Sequence, residues 1–470
     1  MAKRKEDDAI PTGRVRRTAK VGRLVGGQTA RNYATKAANL TRDADGRRVA
    51  AEKRQVEAAE QIVEVLGQMK GAAMKVGQVA SFMDTGAMPP EVQARFQEKL
   101  GALRDSAPKV SFEDMRKVVE SDLEEPLEDV FDEFEEEALA AASIGQVYRA
   151  KLHDGRVVAV KVQYPNVAQA VRADMQNLGL LLRAARTMAP GIDAKAMAAE
   201  IRERIYEELD YEHEAQAQRQ MARLWRRHPF VVIPDVVTRL SRERVLVTEW
   251  VDGERFDDVR ERPRAERDRF AEIVFRFFVG GLYRTGFISG DPHPGNFLLQ
   301  DDGRVAFLDF GMTRHVPREH IEQKIALFRA GLGGDPGLYH AAAAAVGFFP
   351  ADDAGISPEL ALDHFRAISE WWREDRDFTI DQAYIRRVMI DLGDPRSEYW
   401  SVMKRSTIPA DALIAGRMET LTLGVLGQLG ATANWHRIMG EYLWDGTPAT
   451  PLGDDDARFW SDSRPARRAA

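Results

Sequence analysis

No cysteine occurs in the 470 residues. That excludes disulfides, thiolate metal centres and cysteine nucleophiles, and it leaves the redox compartment undetermined. Missing too is any run of the roughly 20 apolar residues that a membrane-spanning helix needs. The basic N-terminus has no apolar stretch behind it, so it does not read as a secretory signal. A cytoplasmic location is the expectation, with any membrane contact peripheral, at the inner face. Net charge is −7, so overall charge does not recruit nucleic acid. Internal repeats and low-complexity blocks are absent. An apolar share of 44% and a charged share of 30% describe an ordinary globular chain, long enough for several domains.

The charge that is present is unevenly placed. From Lys3 to Arg54 there are 15 Lys and Arg against six Asp and Glu. Such an arm reads first as a solvated, partly disordered segment. The sharper reading is a tether to anionic lipid, where each cationic side chain near the surface contributes about 1 kcal/mol. Nucleic acid ranks third, because the charges lack a series of stacking aromatics.

Beyond the arm, Ile62, Leu66, Met69, Ala73, Val76, Ala80 and Met83 recur at helical spacing and predict a helix over 56–84. Gly71 and Gly77 inside it suggest close approach to another backbone. "SFEDMRKVVE" predicts a helix capped by Ser111, with Asp114 three residues on. The acidic run "LEEPLEDVFDEFEEE" leads into "SIGQVYRAKL", "HDGR" and "VVAVKVQY", which read as strand, turn and strand around Asp154-Gly155. A helical region follows over about 170–225, then two strand candidates, "FVVIPDVVTRL" and "RVLVTEWVDG". From Asp257 the pattern is helical, broken by the loop around "GDPHPGN" and "LDFG". The last 120 residues, with Trp371, Trp372, Trp400 and Trp435, predict further helices without assignable chemistry. This order outlines a two-lobed, kinase-like chain with extensions at both ends.

The chemistry concentrates in two places. Asp291 and Asn296 stand five residues apart, with Pro292, Pro294 and Gly295 stiffening the loop between them. Thirteen residues after Asn296, Asp309 opens an Asp-Phe-Gly triplet behind an apolar strand. Phosphoryl transfer needs a carboxylate beside the attacking group and oxygen ligands that fix Mg²⁺ against the phosphates. This spacing offers both. Upstream, Lys161 interrupts an apolar strand. In isolation it reads as an outward-facing, solvated side chain; ahead of Asp291 and Asp309 it becomes the expected partner of the α- and β-phosphates. A helix-borne carboxylate must hold such a lysine, and "RERIYEELDYEHEAQ" offers Glu203, Glu207, Glu208, Asp210, Glu212 and Glu214 without choosing among them. Where a phosphate loop is normally rich in glycine, Ala140, Ala141, Ala142 and Ser143 precede Ile144, Gly145 and Gln146. Alanine removes most of the freedom to take positive φ.

Together these residues resemble the UbiB/ADCK family of atypical kinases, which have a protein-kinase-like fold and are tied to ubiquinone biosynthesis. The resemblance spans roughly residues 60–315 and rests on Lys75 to Gln78 ("KVGQ"), the alanine-rich "AAASIGQV", Lys161, Glu208-Leu209-Asp210, "DPHPGN" and Asp-Phe-Gly. It implies an α+β, two-lobed kinase-like fold with helical extensions at both ends. The expected parts are a basic arm over 1–55, a helical extension over 56–124, an N-lobe over 125–252, a C-lobe core over 253–350 and a helical C-terminal extension over 351–470. Asp291 takes the catalytic-base position, with Lys161 and its partner Glu214. Asn296 and Asp309 hold Mg²⁺. Ala140 to Gln146, Lys161, Glu249 and Val251 contact ATP or ADP. Lys75 and Gln78, with Glu208 and Asp210, restrict access to the site. Two departures stand out. Ser289 lies where the family usually has a His two residues before the catalytic Asp, and the C-terminal membrane span that some bacterial relatives carry is not expected here.

Three functions are open on these residues. The first is a Mg²⁺-dependent atypical kinase or ATPase supporting isoprenoid-quinone or related lipid metabolism, with an anionic membrane or isoprenoid lipid as partner. The second is a nucleotide-binding scaffold with little turnover, and the third a small-molecule phosphotransferase of the aminoglycoside/choline type. No nucleic-acid partner is expected, and the phosphoacceptor and oligomeric state stay open. The arm makes a prediction of its own. Deleting residues 1–40 abolishes co-sedimentation with phosphatidylserine vesicles at low salt, whereas equal pelleting of both forms removes the tether.

Overall fold

The computed structural model describes residues 110–141, 144–169, 171–172, 209–350, 355–393, 397–406 and 410–462. The expected arm over 1–55 and helix over 56–84 lie outside them, as do Lys75, Gln78, Ala142, Ser143 and Glu208. The chain divides into two compact units. One runs up to residue 213 and includes 237–249; the other joins 214–236 to everything from 250 onward.

In the first unit, helix α1 (Phe112–Leu123) starts where the sequence predicts. The Ser111 hydroxyl accepts from the Asp114 amide at 3.3 Å and donates to the Asp114 carboxylate at 3.0 Å. Met115, Val118, Val119 and Leu123 form its buried stripe. After a short helix α2 (Leu127–Val130), strands β1 (Phe131–Phe134) and β2 (Ala140–Ala141) both pair antiparallel with β3 (Gly145–Leu152). The Asp154-Gly155 turn, with Gly155 at φ +86°, leads into β4 (Val157–Gln163). Helix α3 (Tyr211–Leu224) and strand β5 (Val231–Val232) follow, before β6 (Val245–Glu249) completes a sheet ordered β1-β3-β4-β6. Val158, Val160 and Val162 of β4 are fully buried and α1 packs on β4 and β6; Lys161 alternates to the other face.

The acidic run contains a strand that its pattern hides. Phe131 and Phe134 are not at period-two spacing, and with a bulge between Phe131 and Glu133 their rings meet at 5.2 Å, Phe134 also contacting Phe112 and Tyr148. Asp132 and Glu133 pair with Lys151, and Glu135 with Arg149, so this sheet edge is charged. Within the helical region expected over about 170–225, Leu209 and Asp210 are non-helical, and α3 begins at Tyr211.

The second unit takes α3 from Glu214 onward, β5, then β7 (Glu254–Arg255), α4 (Phe256–Arg260) and α5 (Arg264–Phe275). A π-helical turn over Arg276–Gly280 joins α5 to α6 (Gly281–Thr285). Four short strands come next: β8 (Phe287–Ser289), β9 (Phe297–Leu299), β10 (Val305–Phe307) and β11 (Thr313–His315). They form a sheet ordered β5-β10-β9-β7 and a separate β8-β11 pair. Helices α7 (Arg318–Gly333), α8 (Pro336–Ala345), α9 (Pro358–Ile368) and α10 (Glu370–Arg373) lead to β12 (Phe378–Ile380). Then follow α11 (Gln382–Gly393), α12 (Trp400–Arg405), α13 (Ala410–Leu429), β13 (Ala431–Ala433), α14 (Trp435–Leu443) and α15 (Pro451–Asp462). The β12-β13 ladder is invisible to periodicity, because each strand has three residues and its partner lies far along the chain.

One hydrophobic cluster runs through this unit, from Phe270 and Phe277 to Trp371, Trp372 and Trp435. These tryptophans, chemically silent in the sequence, are core. Arg276, 1% exposed, lies in the middle of it and bonds to Glu272 at 2.8 Å and to both Glu441 carboxylate oxygens at 2.8 and 2.9 Å. A cation so deeply buried is tolerable only with its carboxylates in place. Among the described residues, no helix is long and apolar enough to cross a membrane.

His364 on α9 is 1% exposed, and burial pushes its pKa down from 6.5 to about 4. Above pH 6.5 the ring is neutral both folded and unfolded. As pH falls from 6.5 towards 4, only the unfolded chain takes the proton, so folding loses about 3 kcal/mol over that window. Denaturant unfolding at pH 7 and 4.5 checks this: His364→Phe loses about 2–3 kcal/mol less than wild type between the two.

Candidate functional site

Two loops of the second unit are held side by side by strand register. Antiparallel pairing of β8 with β11 sets Ser289 opposite Thr313, and the Gly290 amide donates to the Met312 carbonyl at 2.6 Å. Pairing of β9 with β10 sets Phe297 opposite Phe307, and the Leu308 amide donates to the Asn296 carbonyl at 3.1 Å. The Asp291–Asn296 loop connects β8 to β9, and Asp309–Gly311 connects β10 to β11. Both ladders therefore bring the same two loops together.

The first loop has little freedom left. Pro292 and Pro294 fix two φ angles. The His293 amide donates to the Asp291 carbonyl at 2.8 Å, its Nδ1 accepts from the Gly295 amide at 3.0 Å, and the Asn296 amide closes a 3₁₀ turn onto the His293 carbonyl. In the second loop, Asp309 Oδ1 accepts from the Gly311 amide at 3.0 Å, and Phe310 is fully buried. Beneath both loops, Phe307 stacks on Phe277 with centroids 3.8 Å apart, and Phe297 meets Phe278 at 5.7 Å.

Ser289, where the resemblance expects His, is buried at 4% exposure. A Cβ on the neighbouring Gly290 would stand 3.2 Å from the Met312 carbonyl oxygen and 3.7 Å from Ile414 of α13. The β8-β11 ladder and α13 thus support the backbone just before Asp291.

Glu214, in the first turns of α3, is 4% exposed. A Cβ on Gly311 would lie 3.6 Å from its Oε2 and 3.5 Å from Asp309 Oδ1, so two carboxylates flank this glycine. The second unit therefore assembles Asp291, Asn296, Asp309 and Glu214. Val251, also in this unit, is half-buried in the segment after β6.

The first unit holds the remaining candidates. Ala140 and Ala141 are exposed and lie in β2, opposite Val147 and Gln146, in ordinary β geometry. Ile144 is buried, and the Gln146 side chain accepts from the Tyr148 hydroxyl at 2.5 Å. Glycine is required at 145, because a Cβ there would stand 2.1 Å from the Val162 carbonyl oxygen. Lys161 sits between Val147 and Leu246 on the neighbouring strands, its Nζ 5.0 Å from the Tyr211 ring centroid. Glu249 ends β6 and is exposed. Asp210 caps the start of α3, where its Oδ1 accepts from the amides of Glu212 and His213 at 3.0 and 3.3 Å.

Two residues here escaped the sequence reading. Tyr211, 1% exposed, presents its ring to the Lys161 ammonium. Gln163, also 1% exposed, donates to the carbonyls of Leu209 and Glu243 at 2.9 and 3.2 Å, tying the start of α3 to β4. A glutamine closing the apolar run "VVAVKVQ" was the available signal.

Among the described residues, no three His, Cys, Asp or Glu side chains converge as a metal cage. Asn296 and Asp309 instead offer one amide oxygen and one carboxylate. That sparse, hard-oxygen set suits Mg²⁺, which takes the rest of its shell from phosphates and water.

The ABC1 atypical kinase-like domain matches residues 102–336. Atypical kinase coq-8, mitochondrial, of Caenorhabditis elegans is 28% identical over 401 residues, covering 82% of this chain and 51% of the relative. Atypical kinase COQ8B, mitochondrial, of Rattus norvegicus is 34% identical over 278 residues, covering 59% and 52%. The chain spans about half the length of these curated relatives. A solved structure titled as the complex of Rv3197 with erythromycin, from Mycobacterium tuberculosis, is 29% identical with a TM-score of 0.62, covering 86% of this chain and all of the other.

Gly145 provides a direct test of the first unit. Gly145→Ala drives a methyl group into the β4 backbone and lowers stability by about 1–3 kcal/mol in denaturant unfolding; an unchanged midpoint contradicts the close approach.

Proposed function

The chain belongs to the ABC1 (UbiB/ADCK) family of atypical kinases, with an α+β kinase-like fold, and from that premise we propose that it binds Mg²⁺-ATP and transfers or hydrolyses the γ-phosphate in support of isoprenoid-quinone or related lipid metabolism. The observation that carries this reading is the double register that sets the Asp291–Asn296 loop against Asp309–Gly311.

In this reading Asp291 accepts the proton of the attacking hydroxyl or water, its carboxylate held by a loop with two proline-fixed φ angles. Lys161 engages the α- and β-phosphates, and Tyr211 limits where its ammonium can point. Glu214 orients that lysine, the role the resemblance gives it. Asn296 and Asp309 hold the metal. Mg²⁺ held by Asn296 and Asp309 would offset the negative charge that develops on the phosphates. Phosphoryl transfer asks little else of a protein, because positioning and electrostatics supply most of the barrier reduction. Glu249 and Val251 contact the nucleotide base, and Lys75, Gln78, Glu208 and Asp210 restrict which acceptors reach it.

The erythromycin complex of the related structure favours one second reading, in which the acceptor or ligand is a free small molecule and not a membrane lipid.

ATP hydrolysis, measured with and without anionic vesicles carrying a quinone-precursor mimic, tests the proposal. Wild type turns over and is stimulated by the vesicles, while Asp291→Asn falls by about 10²–10⁴-fold with nucleotide binding retained. Asp309→Asn loses the Mg²⁺-dependent part of the thermal shift with ATP. Absence of that shift in wild type, with both ATP and ADP, would end the nucleotide reading.

A further inference from the structure

Helix α3 carries Glu214 at one end. Its other end is gripped by the C-terminal helix. Past Leu224 the chain continues through Trp225, whose amide donates to the Met221 carbonyl, to His228, whose amide donates to the Trp225 carbonyl. His228 is 3% exposed, and its Nε2 lies 3.3 Å from Oδ1 of Asp456 on α15. Asp456, 1% exposed, also accepts from Trp460 Nε1 at 2.9 Å and pairs with Arg284 at 3.2 Å. Rings close the remaining sides of the imidazole: Trp225 at 4.8 Å, Phe230 at 4.4 Å and Phe459 at 4.5 Å. Trp460 meets Trp225 edge-on at 5.3 Å.

A carboxylate this deep is stable only while its partners stay in reach. If the end of α3 moved away from α15, Asp456 would lose His228 and keep Arg284 and Trp460, and the edge-to-face contacts of Trp225 would open as well. Along its length α3 is also held by Gln218, which donates to the Pro234 carbonyl at 2.8 Å, and by Gln220, 3.2 Å from His315 Nε2. At the α15 end, a buried carboxylate and several aromatic rings hold the chain just past the helix. From Glu214 to Leu224 the helix is about 15 Å long at 1.5 Å per residue, so a swing at one end displaces the other.

We propose that α15 is a clamp on α3, and that Asp456 and His228 are positioning residues that fix where Glu214 stands beside Gly311 and Asp309. This rests on the nucleotide reading only for its effect on ligand binding; its effect on the two loops does not depend on it. In chemical terms, the C-terminal helix supplies the restraint that keeps the acid-flanked Gly311 turn formed.

The test uses the full chain and two readouts: amide hydrogen exchange over 214–224 and 309–312, and the Kd for Mg²⁺-ADP. Asp456→Ala raises exchange in both segments by about fivefold or more, the Gly311 amide included, and weakens Mg²⁺-ADP about tenfold. Leu362→Ala, a cavity in the same core on α9, serves as a control for general destabilisation. It leaves the exchange ratio of the two segments to the rest of the unit unchanged. Should Asp456→Ala fail to fold, Asp456→Asn, which keeps the volume and an accepting oxygen but not the charge, gives the same pattern at smaller size. Faster exchange in α3 without any change at 309–312 overturns the clamp, as does the same pattern in Leu362→Ala. Exchange as proposed with an unchanged Kd for Mg²⁺-ADP overturns the link to ligand binding. If wild type binds no Mg²⁺-ADP, the nucleotide reading falls, while the exchange data still decide the clamp.

Discussion

Phe277 and Phe307, stacked with centroids 3.8 Å apart, join the helical body of the second unit to the two strands that present its acidic loops. Phe307 ends β10 two residues before Asp309. Phe297, opposite it on β9, follows Asn296 directly. A side chain cannot shift in a core of that density without moving its neighbours. The positions of Asn296 and Asp309 are therefore inherited from aromatic packing, and no hydrogen bond between their side chains is needed to define them. Phe277 itself belongs to the π-helical turn between α5 and α6, a local irregularity of the kind that often re-aims residues near functional sites. Buried Arg276, in the same turn, links it to α14 through Glu441.

The loops with chemistry were the most legible part of the sequence. Asp291, Asn296 and Asp309 lie on short connections whose lengths are set by strand pairing, so their spacing survives as a pattern. Lys161 was legible for another reason: it is a charge in an apolar strand next to a hairpin signal. What stayed hidden depends on partners far along the chain. Strand β1 was masked by its acidic neighbours and its bulge, and β12-β13 by its three-residue length. Asp210 reads as one acid among six until the helix start at Tyr211 turns it into a cap. The aromatic role of Tyr211 depends on a fold that brings it to Lys161.

The same limit explains the silent C-terminal region. Periodicity predicts helices there, and helices occur, but no local signal says which partner each will take. Trp371, Trp372 and Trp435 become one core with Phe270 and Phe275 only after long-range packing. Burial of Arg276, Glu441 and Asp456 within it makes the arrangement specific, because each charge tolerates few alternative neighbours. Among the described residues from 355 onward, Trp371, Trp372 and Trp435 thus share one core with Phe307 of the strand that precedes Asp309.

The alanine segment has one more consequence, which concerns entropy. A glycine-rich loop stays loose until a ligand arrives and then gives up much of its backbone freedom at binding. Here Leu139 already donates its amide to the Val147 carbonyl, and Ala140 and Ala141 lie in the ladder beside Gln146. That freedom has been given up once, on folding. A ligand meeting this hairpin faces a smaller ordering cost, and in exchange the hairpin has less ability to reshape itself around a different one.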